Sequence, residues 1–171
     1  MLTVSESDYP PYYNTYVSMV SDSDIFHLLE DQKSELISFL QRLPEHSWNF
    51  RYAEGKWSVK EILGHICDCE LIFGYRAVCL ARGEAQSLPG FDQNEYVKNG
   101  RFDELSNQQL LNLFLQVRDS NLAYFGTFNP FDWENKGTAN GASFTAKAFP
   151  FIMAGHVAHH IEVIQKFYFK A

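Results

Sequence analysis

Trp57-Ser58-Val59-Lys60-Glu61-Ile62-Leu63-Gly64-His65 opens the most sharply signalled helix of this chain. Ser58 and Glu61, three residues apart, have the spacing of a capping box, in which each side chain satisfies the other's free backbone N–H. Trp57 and Ile62 stand at the staple positions on either side. Apolar residues at helical spacing continue to about Arg82, and Gly83 follows as a helix-ending residue. The same start signal recurs at Ser106 and Gln109, with Leu105 and Leu110 as the staple, and predicts a helix to about Phe125.

Two further helices complete the set. Ile25, Leu28, Leu29, Leu36, Ile37 and Leu40 predict one from Asp24 to Arg42, stopped by Pro44. The last begins between Ser143 and Pro150 and runs to about Phe169. Met1 to Ser21, with Pro10-Pro11 and four tyrosines, reads as an extended arm laid over the rest. Gly126 to Gly141, rich in Asn, Gly, Thr and Pro, reads as a loop.

Connection length permits one topology in particular, although long loops also carry function. Helix two is roughly 37 Å long at 1.5 Å per residue, and about a dozen extended residues can run back along it. Gly83 to Leu105 supplies about twenty, with no strong period. The expected fold is therefore all-α: a single-domain four-helix bundle of up-down-down-up order over residues 1–171, with a long crossover between parallel helices two and three.

Bulk properties narrow the function. The 171 residues are 46% hydrophobic and 20% charged, enough for one sizeable core. A net charge of −7 without a basic stripe disfavours nucleic acid. No apolar run is long enough to cross a bilayer. Cys67, Cys69 and Cys79 form neither a disulfide framework nor a zinc ribbon, so a reducing cytoplasm is the default compartment.

Histidines carry the chemistry. In Gly155-His156-Val157-Ala158-His159-His160, His156 and His160 are four apart and share a helix face. His159 is turned about 100° away. The core stripe Phe149, Ile152, His156, His160, Val163, Phe167 thus holds two imidazoles where apolar residues belong. In helix two the stripe Ile62, His65, Cys69, Ile72, Arg76 holds a third. Antiparallel helices two and four bring all three to a similar depth, roughly 10–14 Å from one end. Three buried imidazoles need partners for their ring nitrogens, and one divalent ion satisfies three of them together. Gly64 and Gly155, each just before a histidine, allow close backbone approach. Asp68, one turn after His65, is the candidate to orient a ligand or accept a proton; a structural hydrogen bond is the alternative. Cys69 is a candidate fourth ligand or a small packing residue. Arg76 is expected to pair with a crossover carboxylate such as Asp92.

The segment from Trp57 to His65, the following Asp68, the segment from Gly155 to His160, and Pro89-Gly90-Phe91-Asp92-Gln93 resemble the DinB-like family of metal-dependent hydrolases and bacillithiol transferases. The likeness runs from Tyr12 to Phe167. It implies an up-down-down-up bundle and a three-histidine metal site on His65, His156 and His160. It also implies hydrolysis or transfer of a low-molecular-weight thiol. Three neutral ligands leave an ion its full charge and an open position, able to acidify water or hold a thiolate; zinc, nickel and iron all suit imidazole. The expected partners are a small-molecule substrate, with a low-molecular-weight thiol among the candidates, and a second copy of the chain as a homodimer. A non-catalytic metal-dependent binding protein and a structural bundle with buried histidines are the competing readings.

Overall fold

The computed structural model describes residues 1–169. Four long helices form the bundle: α2 (Ile25–Leu40), α3 (Val59–Ala81), α5 (Asn107–Phe125) and α6 (Ala148–Phe167). Two short ones, α1 (Asn14–Val17) and α4 (Gln93–Gly100), flank them. Both capping boxes are formed. Ser58 Oγ accepts from Glu61 N–H at 3.2 Å while Glu61 accepts from Ser58 N–H at 2.7 Å, and Ser106 and Gln109 repeat the exchange. Gly83 ends α3 at φ 80°, a left-handed conformation that glycine adopts without strain. Pro150 lies in the first turn of α6 and is no kink.

Cross-helix contacts fix the directions. Lys60 reaches the carbonyls of Asp103 and Leu105, Glu70 meets Arg118, and Gly74 packs on Asn121. Positions rise together, so α3 and α5 are parallel. His65 meets His156, whereas Trp57, eight residues earlier, meets Tyr168, so α3 and α6 are antiparallel. Gln32 donates to the Ala154 carbonyl and Phe39 packs on Phe169, which makes α2 parallel to α6. This is the up-down-down-up order expected from the crossover length.

One buried network joins all four helices. Arg118 of α5 donates two hydrogen bonds to Glu70 of α3, at 2.8 and 2.6 Å, and a third to the Leu29 carbonyl of α2. Its Nη1 also reaches Gln32, whose amide bonds α6.

Three segments differ from the sequence reading. The arm is not extended: Glu6–Asp8 and Pro11–Tyr13 are 3-10 turns leading into α1, which packs on α6. The crossover contains α4, capped by Asp92, whose side chain accepts from Asn94 N–H and Glu95 N–H. The expected loop ends in an antiparallel hairpin, β1 (Lys136–Ala139) and β2 (Ala142–Thr145). Its turn residues Asn140 and Gly141 have φ 51° and 74°, the twist-matched geometry that Asn-Gly favours. The hairpin grips the crossover through Leu88 N–H to Thr138 O and Asn140 N–H to Leu88 O. No described helix is long and apolar enough to cross a membrane.

Two apolar clusters fill the core. One holds Phe73, Phe144, Phe149, Phe151 and Trp133, the other Leu36, Leu63, Ile66, Phe114 and Ile164. Along α3 the change from one to the other falls between Ile66 and Cys69, and along α6 around Ala154 to Val157. The histidines lie at that seam.

Candidate functional site

His65, His156 and His160 are buried and converge. Nε2 of His65 is 3.1 Å from Nε2 of His156, and Nε2 of His160 is 3.1 Å from the same atom. Burial keeps the rings neutral. It lowers His65 to about 4; burial, reinforced by the neighbouring imidazoles, drives His156 and His160 well below their ordinary value.

Neutral rings cannot satisfy this geometry among themselves. An imidazole nitrogen offers one hydrogen or one lone pair, not both, so Nε2 of His156 pairs properly with only one of its two neighbours. A cation bound between His156 and its neighbours would accept lone pairs that the rings cannot share among themselves. Nitrogens about 2.1 Å from a tetrahedral ion stand roughly 3.4 Å apart, a few tenths of an ångström from the two spacings that meet at His156. Buried, unprotonated imidazole nitrogens are donors that suit a divalent metal.

Cys69 is closer than its place in the stripe required. Its sulfur lies 3.7 Å from both ring nitrogens of His65, and His65, Cys69 and His156 form a triplet able to hold an ion, with ligand atoms within 4.8 Å of one another. Burial raises the Cys69 pKa and holds the sulfur as a thiol.

Aromatic rings frame the imidazoles. Trp57 packs on His65 with centroids 4.8 Å apart. Tyr16 of α1 sets its ring edge-to-face against both His156 and His159, at 5.3 and 5.4 Å. The two glycines admit this packing. A methyl on Gly155 would overlap the Tyr16 carbonyl, and one on Gly64 would overlap the Phe102 ring. The close approach expected of these glycines is thus to the arm and to the crossover.

Two cavities flank the cluster. One, of ≈230 Å3, reaches His65 and His156 and runs along α3 past Cys69 and Phe73 to Arg76. The other, of ≈250 Å3, reaches His160 and His159 beside Trp57 and Lys56. Asp68 lines neither; it is half-buried, and burial raises its carboxyl pKa. Arg76 does not pair with Asp92, which is occupied in capping α4; instead it donates to the Pro89 carbonyl at 2.8 Å. Sequence reasoning missed Tyr13, Tyr16 and Asn140, and named Gln93 only within the family-like segment; they come to the first cavity from the arm, the hairpin turn and α4. Only Gly155 and the Asn-Gly pair signalled them.

The DinB superfamily model matches residues 28–164. The chain belongs to the DinB superfamily. Two kinds of solved structure share the DinB bundle. YfiT from Bacillus subtilis, described as a probable metal-dependent hydrolase with an unusual four-helix bundle topology, superposes with a TM-score of 0.76 at 15% identity, over 84% of this chain and 83% of its own. A mycothiol-dependent maleylpyruvate isomerase superposes with a TM-score of 0.68, also at 15% identity, over 85% of this chain and 61% of its own; a histidine-to-alanine mutant of that isomerase gives the same values. Among curated proteins no sequence match was found.

Proposed function

We propose that this chain is a metal-dependent enzyme acting on a small molecule, either transferring a low-molecular-weight thiol or hydrolysing its substrate. His65, His156 and His160 are its ligands to a divalent ion. The observation that carries this reading is that the buried, neutral His156 Nε2 has the Nε2 atoms of His65 and His160 each 3.1 Å away, beside two cavities. The thiol-dependence and metal-dependence in the descriptions of the similar structures support both branches.

When bound, the ion supplies Lewis-acid activation of a water or a thiol. The remaining work falls to the chain. The three imidazoles keep their lone pairs free of protons at neutral pH, because burial disfavours the charged rings. Trp57 and Tyr16 wall two of the imidazoles with ring surface and limit water around them. Asp68 is half-buried one turn from His65, and burial raises its pKa, which makes its carboxylate a stronger base; we assign it a supporting proton-accepting or orienting role.

The alternative triplet replaces His160 with Cys69. Two observations favour the histidines: the matched 3.1 Å spacings to His156, and the cost of ionising a thiol whose pKa burial raises. Zinc, nickel and iron remain equal candidates for the ion.

The test is turnover of a chlorodinitrobenzene electrophile with several low-molecular-weight thiols, and separately of ester and amide substrates. Wild-type protein is compared with His160→Ala at equal metal loading. Thiol-dependent turnover lost in the variant identifies a transferase, and thiol-independent hydrolysis lost in the variant a hydrolase. A broad panel without metal-dependent turnover contradicts the enzyme reading.

A further inference from the structure

Arg76 is 2% exposed, yet no carboxylate lies within salt-bridge distance of it among the described residues. The contrast with Arg118 is direct. Arg118 is equally buried, and Glu70 neutralises it with two hydrogen bonds. A buried charge without a counter-charge is costly. Arg76 meets neutral groups alone: the Pro89 carbonyl, the Tyr13 hydroxyl, and the ring faces of Phe73 and Phe91 at 6.0 and 5.9 Å. Those contacts hold the guanidinium in place and leave its charge uncompensated.

The guanidinium faces the first cavity, where no lysine, aspartate or glutamate joins it. The polar residues around it, Tyr13, Gln93 and Asn140, are neutral. The same cavity reaches His65 and His156 at its other end. Phe73 measures the interval: its ring lies 6.0 Å from the guanidinium carbon and 6.1 Å from the His156 ring, which bounds the separation at about 12 Å. One cation at one end of a small cavity, and the histidine cluster at the other, define a ligand with a single negative charge set a few bonds from its reacting centre.

We propose that Arg76 binds the carboxylate of a small anionic substrate and so positions it toward the histidine cluster. This rests on the metal-dependent reading of that cluster. A carboxylate matches the site better than a phosphate. Its two coplanar oxygens fit the guanidinium fork, and its single charge matches the single guanidinium. The hairpin completes the device: it holds Leu88 and thereby Pro89, whose carbonyl anchors the guanidinium, and its turn presents Asn140 to the same space.

The experiment is calorimetric binding of benzoate and of benzamide, matched in shape and differing in charge, to zinc-loaded and metal-stripped full-length protein. The proposal expects metal-stripped wild-type protein to bind benzoate at least about tenfold more tightly than benzamide. Arg76→Gln is expected to lose that preference while retaining its zinc stoichiometry, and Arg76→Lys to keep part of it. Equal binding of acid and amide by the stripped wild type overturns the proposal, and that comparison decides even if Arg76→Gln does not fold. A benzoate affinity that stays within twofold in folded Arg76→Gln also overturns it, since the carboxylate is then held elsewhere. Arg76-dependent benzoate binding by a protein that takes up no zinc sustains the carboxylate site and refutes the metal reading alone.

Discussion

The backbone carbonyl of Tyr16 occupies the space where a side chain on Gly155 would stand. α1 therefore rests directly on α6, one residue before His156, and its Tyr16 ring packs on that histidine and on His159. Gly155→Ala is expected to push α1 away. Overpacking of this kind costs about 1–3 kcal/mol, and the displaced tyrosines would open the first cavity. Urea unfolding checks the stability loss, and protection of Tyr16 from iodination checks the displacement. Unchanged values for both would mean that the arm does not rest on α6.

Arg118 and Glu70 hold the four helices in register from the centre of the bundle. Their side chains are 0% and 2% exposed, so removing one leaves a buried charge unpaired. Arg118→Met is expected to cost about 3–5 kcal/mol, and Arg118→Met with Glu70→Leu markedly less. A double-mutant cycle by denaturant unfolding measures both. Additive losses would contradict the account of a coupled pair.

Acid should weaken the metal-free protein through the histidines. Burial lowers His65 from 6.5 to about 4, and burial with imidazole repulsion takes His156 and His160 well below 6.5. Each ring is neutral when folded and gains a proton when the chain unfolds below pH 6.5. The unfolded state then binds more protons, so stability falls as pH drops from about 6.5 toward 4 and is unaffected by these groups above that window. Urea midpoints across this range, compared with those of His65→Gln, test the sign. A wild-type midpoint that rises on acidification would contradict it.

Chelation should lower the melting temperature and leave the helices intact. An ion that binds only the folded chain adds about 2.7 kcal/mol at a hundredfold excess over its Kd, while two apolar clusters hold the bundle without it. Thermal melts followed by circular dichroism, with and without a chelator, measure the shift. Loss of helical signal on chelation at room temperature would place the chain with metal-folded domains instead.

What could be read from the sequence was local or periodic. Ser58 with Glu61, and Ser106 with Gln109, marked two helix starts to within a residue, and the length of Gly83–Leu105 fixed the parallel pair. Core-stripe position placed His65, His156 and His160 together, because helical spacing and helix direction set their depth. Arg76 went to the wrong partner, since spacing along a helix does not tell which crossover residue lies opposite. Asn140-Gly141 carried a hairpin signal that the loop-like composition around it concealed. The Tyr16 contact was beyond reach: the arm lacks a period, and Gly155 announces a close approach without naming what approaches.

The central claim is that His65, His156 and His160 hold one divalent ion. Zinc binding to wild-type protein and to His65→Ala, His156→Ala, His160→Ala and Cys69→Ala, each checked for folding by circular dichroism, tests it most directly. The account predicts one ion per wild-type chain, at least about a hundredfold weaker binding in each histidine variant, and near wild-type binding in Cys69→Ala. Absence of stoichiometric zinc in the wild type, or binding that survives His160→Ala and fails in Cys69→Ala, would contradict it.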